Sequence, residues 1–184
     1  RLTDSQRKRV TLLNKNVLTV STGKVDAIAA MNFSYWLFKE RKDLKRYLKR
    51  AFRALVDDGI LFLDAYGGYE AFQEVVEERE IEEDGYRFTY IWEQASFNPL
   101  DSTMTCHIHF EFPYRSLLYR AFSYYWRLWT LPELQELLLE AGFARADVYV
   151  EGWDEEADDT DGVFRRRARF ENMSGWVAYV VGTC

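Results

Sequence analysis

The stretch "VDAIAAMNFSYWLF", residues 25–38, begins as a strand and ends as something else. Val25, Ala27, Ile28, Ala29, Ala30 and Met31 form an apolar run broken only by Asp26. So short and continuous a run predicts a strand covered on both faces, the habit of parallel sheets. It gives out at Asn32-Phe33-Ser34-Tyr35-Trp36, where polar and aromatic groups stand in place of an ordinary solvated turn. Next, "KERKDLKRYLKRAFRALV", residues 39–56, sets Leu44, Tyr47, Leu48, Ala51, Phe52 and Leu55 at helical spacing against a Lys/Arg face. Asp57-Asp58-Gly59 ends that helix, and "ILFLDAY", residues 60–66, supplies a second apolar strand. Strand, helix, strand is a βαβ unit, which predicts a right-handed crossover into a parallel pair.

Outward from this unit the pattern is mixed. Residues 1–9 read as a helix tail, and "RVTLLNKNVLTV", residues 9–20, as one or two short strands. "YEAFQEVVEEREIEEDG", residues 69–85, reads as a helix passing into a turn. "YRFTYIWEQASF" and "STMTCHIHFEF" alternate around the turn Asn98-Pro99-Leu100-Asp101, and "SLLYRAFSYYWRLW" follows, giving three antiparallel strands. "TLPELQELLLEAGF", residues 130–143, is a short helix with Thr130 as cap, Pro132 in its first turn and Gly142 at its end. "ARADVYVEGW" is a strand, residues 154–170 a charged connection, and "WVAYVVGTC" a final apolar strand.

The 184 residues suffice for one domain with a sizeable core, and a 17% aromatic content excludes disorder. A formal net charge of -6 argues against broad nucleic-acid binding, which needs a basic face. No apolar stretch approaches the roughly 20 residues that span a bilayer, so no membrane partner is expected. Cys106 and Cys184 are too few for a disulfide framework, which leads to the expectation of a reducing, cytoplasmic location.

Several side chains invite chemistry. On a strand, His107 and His109 share a face with Glu111, a set that is short of a third histidine for metal binding, so no metal is expected and a pH-sensitive or substrate-facing role stands beside a solvated face. Trp92, Glu93, Tyr124, Trp126 and Arg127 suggest an aromatic lid able to enclose a small polar or cationic molecule, or aromatics that pack the insertion onto the main sheet. The acidic run Asp154–Asp161 fails as a calcium loop: with Gly162 at position six, Ala157 and Ala168 fall on obligatory ligand positions. "FRRRARF", residues 164–170, reads as an exposed strand edge, and Cys184 has no partner base to activate it.

The helix ending in "RALVDDGILFLDAY" and above all the run Trp129 to Phe143, "WTLPELQELLLEAGF", resemble the C-terminal two-thirds of a class I S-adenosylmethionine-dependent methyltransferase. The resemblance covers most of residues 10–72 and 126–184. It implies a Rossmann-like α/β fold whose mostly parallel sheet ends in an antiparallel strand, with an antiparallel β insertion over the cleft. The divisions expected are 1–72 and 128–184 for the core sheet and 73–127 for the insertion. It further implies S-adenosylmethionine as cofactor and a small-molecule methyl acceptor. Ligands of open α/β sheets sit beyond the carboxyl ends of the strands, so the resemblance implies Asn32, Phe33 and Ser34 beside the cofactor and Tyr35 and Tyr66 beside the acceptor; the alternatives are that Asn32 or Ser34 caps the strand and starts a helix, and that Tyr66 packs beneath the insertion. Asn16 stands where the family often keeps an adenine-binding Asp, with a plain turn residue as the alternative. Trp92, Glu93, His107, His109 and Arg127 are the insertion's candidates for the acceptor, with Glu93, His107 or His109 as a general base where one is needed.

The family's Gly-rich turn after the first strand has no counterpart here, and Gly67-Gly68 follows a different strand. With Arg1 at the start, this leads to the expectation of a preceding segment. The strand at 25–31 then becomes an apolar edge that invites homodimerisation. A noncatalytic interaction module and a small-ligand carrier are the alternatives to the enzyme.

Overall fold

The computed structural model describes residues 2–83, 85–113, 116–154 and 159–184. After a single turn of helix, α1 (Asp4–Arg7), residues 10–24 run without a strand, against the expectation for 9–20. Their apolar residues meet little of the core: Leu12 and Leu13 are exposed, and only Leu18 packs against it. The βαβ unit follows: β1 (Val25–Ala30), α2 (Arg41–Ala54) and β2 (Leu55–Gly67), with β1 parallel to β2 in a register that sets Ile28 against Leu61 and Ala30 against Leu63.

Beyond β2 the chain makes a short 3₁₀ turn at Glu70–Phe72 and enters four consecutive strands, β3 (Val75–Glu83), β4 (Tyr86–Asn98), β5 (Thr103–Phe112) and β6 (Ser116–Arg127). They form one antiparallel sheet in chain order. The helix expected over 69–85 is thus strand β3. Every residue of it from Val75 to Glu83 is matched to one of β4, and Glu80 pairs with Arg87 across the two strands at 2.9 Å. A full ladder outweighs the weak helical preference of glutamate.

α3 (Leu131–Ala141) returns the chain to the first sheet, which β7 (Arg145–Asp154), β8 (Asp159–Arg166) and β9 (Trp176–Thr183) complete in the order β1-β2-β9-β7-β8. Among the described residues only β1 and β2 are parallel; β9 runs antiparallel to both β2 and β7, and β8 antiparallel to β7. This corrects the expectation of a mostly parallel sheet. Parallel neighbours need a crossover of a dozen or more residues, which α2 provides, whereas the connections around β8 are short and reverse direction. Residues 155–158 of the acidic run lie outside the described residues. β8 is an edge strand, and so is β1, where Asp26, Ala27 and Ala29 are exposed rather than covered on both faces as expected.

α2 and α3 pack side by side on the first sheet. Leu44, Leu48 and Ala51 of α2 and Leu134, Leu137, Leu138 and Ala141 of α3 are buried. Gly182 of β9 lies so close to Leu138 and Phe143 that a Cβ there would meet both side chains. Thr130 and Glu133 form a capping box at the start of α3, and the indole of Trp129 donates to the Phe38 carbonyl at 3.1 Å, so the Trp-Thr-Leu-Pro-Glu run anchors the chain as it changes sheet.

Glu140 of α3 is clasped by Arg41 and Lys45 of α2, and these two cations hold its carboxyl down to about 2. A depressed carboxylate adds stability above its ordinary value, 4.5, and that contribution is lost as pH falls from there through about 2. Glu140→Gln is therefore expected to flatten the acid limb of thermal stability over this window, by a small amount because the pair is exposed. A melting temperature that falls equally steeply in both proteins would remove the ion pair from the account.

Candidate functional site

Between the tips of the first sheet and one face of the second lies a cleft of about 950 Å³, at the upper end of the range for small-molecule sites. Asn32, Phe33, Ser34 and Leu37 line it from beyond β1, and Tyr66 from the end of β2. Ser174, Gly175 and Val177 line it from the entry to β9. The second sheet supplies Glu77, Tyr90, Trp92, Ile108, Tyr124 and Trp126, and the turn between the sheets supplies Glu70.

The turn after β1 is built around Asp64. Asn32 and Phe33 both take left-handed backbone, with φ 58° and 52°, which costs a residue with a Cβ about 1–2 kcal/mol. Their N–H groups donate to the two carboxylate oxygens of Asp64 at 2.6 and 3.0 Å, while the Tyr35 hydroxyl donates to the Asp64 carbonyl at 2.8 Å. Burial raises the Asp64 pKa, and the N–H donors of Phe33 and Asn32 oppose that rise. Held this way, the turn leaves the side chains of Asn32 and Ser34 without a hydrogen-bond partner among the described residues, at the wall of the cleft.

The opposite wall is aromatic. Trp126 stacks on Tyr124 at 4.2 Å, meets Trp36 edge-on at 5.5 Å and lies 6.2 Å from Trp92, while Phe33 stacks on Trp36 at 4.8 Å. Gln94, fully buried on β4, donates through its amide to the carbonyls of Glu70, Ala71 and Gln73 and so fixes the turn that carries Glu70. Burial raises the Tyr66 pKa, and the charges of Glu77 and Glu70 raise it further, so its phenol stays protonated near two carboxylates. No Lys, Arg or His is among the described residues that line the cleft.

Of the expected site residues, Asn32, Phe33, Ser34, Tyr66 and Trp92 line the cleft. The others do not. Asn16 accepts from the Leu18 N–H at 2.8 Å within its own turn. Tyr35 is buried beneath the wall, 1% exposed. Arg127 donates to the Lys39 carbonyl and to Glu133, both at 2.9 Å, and lies over the Trp129 ring, which makes it a brace between β6 and the start of α3.

Glu93, His107 and His109 sit on the far face of the second sheet, because a strand alternates and Trp92 and Ile108 already claim the cleft side. There the His109 Nε2 donates to Glu93 at 3.0 Å and its Nδ1 accepts from the Arg120 N–H at 3.0 Å, while His107 Nδ1 lies 2.8 Å from the Ser123 hydroxyl. Burial and then Arg120 depress the His107 pKa. None of the three reaches the cleft as a base, and no group of metal-binding side chains occurs among the described residues.

Glu70, Glu77, Tyr90 and the Ser174–Val177 segment escaped the sequence reading. The signal for Glu77 was the alternation Val75, Glu77, Arg79, Ile81, which was concealed by the glutamate-rich composition.

No family model and no curated protein matches the chain. Solved structures do. An S-adenosylmethionine-dependent methyltransferase from Clostridium acetobutylicum matches with a TM-score of 0.65 at 14% identity, covering 97% of this chain and 67% of that one. Streptomyces venezuelae DesVI matches at 0.64 with 17% identity, over 96% and 67% of the two chains. The sugar N-methyltransferase KedS8 from Streptoalloteichus matches at 0.62 with 15% identity, over 96% and 64%. The chain thus has the fold of S-adenosylmethionine-dependent methyltransferases, and it spans about two thirds of the length of these structures. No helix among the described residues is long and apolar enough to cross a membrane.

Proposed function

We propose that this chain forms the acceptor side of a methyltransferase that moves a methyl group from S-adenosylmethionine to the nitrogen of a small molecule. The observation that carries the reading is the cleft itself: strand tips on one side, aromatic faces on the other, and, among the described residues of its lining, two carboxylates and no cation. Such a lining suits a positively charged pair of reactants. Support for nitrogen as the acceptor comes from the carboxylates and from KedS8, a sugar N-methyltransferase of the same fold.

When bound, S-adenosylmethionine supplies a methyl group already activated on a sulfonium. Asn32 and Ser34 offer that end of the cofactor unpaired polar groups, and the ring of Phe33 offers it a face. The protein's task is alignment. Glu70 and Glu77 hold the amine end of the acceptor, and one of them accepts the proton that the amine must lose before it can attack. Tyr66, kept protonated, donates a hydrogen bond and orients the acceptor. The carboxylate that keeps its charge would stabilise the cationic methylated amine.

Calorimetric titration of the full-length protein with S-adenosylhomocysteine tests the reading. Saturable binding is expected, with Asn32→Ala weakening it about fivefold, the value of one hydrogen bond. Absence of any heat or thermal shift would replace the enzyme with a carrier or interaction module. Unchanged affinity in the variant for both cofactor and amine would take Asn32 out of the site.

A further inference from the structure

The aromatic wall does not stop at the cleft. Along β4 and β5 the face that carries Tyr90 and Ile108 continues, two residues at a time, through Phe88 and Phe110. On β6 the register sets Phe122 opposite Ile108 and Leu118 opposite Phe110. The rings are contiguous: Tyr90 lies 6.0 Å from Phe110, which lies 5.8 Å from Phe88 and 6.4 Å from Phe122. Phe122 is 53% exposed and Leu118 52%, so an apolar strip lies open to water. An apolar patch of this kind marks a binding surface. A patch for a separate partner has a polar rim of its own; this one runs without a polar break into the cleft at Tyr90.

Charge gives the strip a direction. Glu70 and Glu77 stand in the cleft, and Arg79, opposite Tyr90 on β3, stands where the strip leaves it. A cationic group is favoured on the cleft side of Arg79, beside the two carboxylates.

We propose that the acceptor is an amphiphilic amine: its nitrogen lies between Glu70 and Glu77, and its apolar body lies along Tyr90, Phe110 and Phe122. This rests on the reading of the cleft as the acceptor site and adds the class of molecule that enters it.

Primary alkylamines from butylamine to decylamine, with octanol as the uncharged control, provide the probes, titrated into full-length protein and read by calorimetry and by tryptophan fluorescence. Affinity is expected to climb about fourfold for each methylene that reaches the strip, and octanol to bind more weakly than octylamine. Phe122→Ser, at an exposed position that leaves the core intact, flattens the climb while butylamine binds as before. Glu77→Gln weakens every amine and leaves octanol unchanged.

Equal affinity for butylamine and decylamine overturns the proposal, as does a climb that survives Phe122→Ser and Phe110→Ser together. Sedimentation showing a dimer that Phe122→Glu dissociates also overturns it, since a second copy then covers the strip. S-adenosylhomocysteine titrated into the same samples separates the two levels. Retained cofactor binding with a flat amine series sinks this inference alone, and loss of cofactor binding sinks the enzymatic reading beneath it.

Discussion

Gly68→Ala is expected to destabilise the protein by about 3 kcal/mol, near the upper end for a strained backbone position, and to lower the melting temperature by about 10 °C in a chain of this size. Gly68 has φ 120°, outside the range of residues with a Cβ, and a Cβ built there would overlap the Ser174 carbonyl. The close approach has a purpose. The N–H groups of Tyr69 and Glu70 donate to the carbonyls of Met173 and Ser174 at 3.1 and 3.0 Å, which ties the Glu70 turn to the Ser174–Gly175 wall of the cleft. Amine affinity is therefore expected to fall along with stability.

Gly85→Ala is the control. Gly85 also has positive φ, at 78°, but a Cβ there meets nothing within 4 Å among the described residues. That variant should lose only the conformational term, about 1 kcal/mol, with amine binding unchanged. Urea titration of both variants checks the difference, and equal losses would show that the approach to Ser174 contributes nothing.

The same glycines show how far the sequence could be read. Gly67-Gly68 stands after a different strand from the family's Gly-rich turn, and its use, a close pass between two backbones, depends on Ser174, far along the chain, which no local pattern announces. The βαβ unit was legible because burial on a helix face and in a strand leaves a period in the residues that form it. β3 was not, since nine residues holding five carboxylates and one arginine carry helical propensity in isolation and take their strand form only from the ladder with β4.

The histidines fail for another reason. Alternation correctly put His107 and His109 on one face, yet which face of a sheet meets the cleft is a property of how two sheets pack, and a period of two is silent on it. That Asn32, Phe33 and Ser34 border the cleft was legible because the end of a strand is a topological fact as much as a chemical one.

Asp64→Asn is expected to cost about 2 kcal/mol, the loss of one hydrogen bond to a charged group, and to weaken S-adenosylhomocysteine binding more than Asn32→Ala does. The carboxylate serves two donors at once. An amide has one accepting oxygen, so whichever way the asparagine turns, its NH₂ points at a backbone N–H that also donates. One of Asn32 and Phe33 then loses the contact that offsets its left-handed backbone, at a site where Asp64 is only 8% exposed and water gives little relief. The turn relaxes toward ordinary φ, and the side chains of Asn32 and Ser34 leave the wall of the cleft together, so replacing Asp64 should matter more than replacing Asn32 alone. Asp64→Glu provides the counter-test: it keeps both acceptors but adds a methylene, and should restore part of the binding while remaining less stable than the parent. If Asp64→Asn melts at the parental temperature and binds the cofactor product as well as the parent does, the two left-handed residues hold their shape without help, and Asp64 has no part in forming the site.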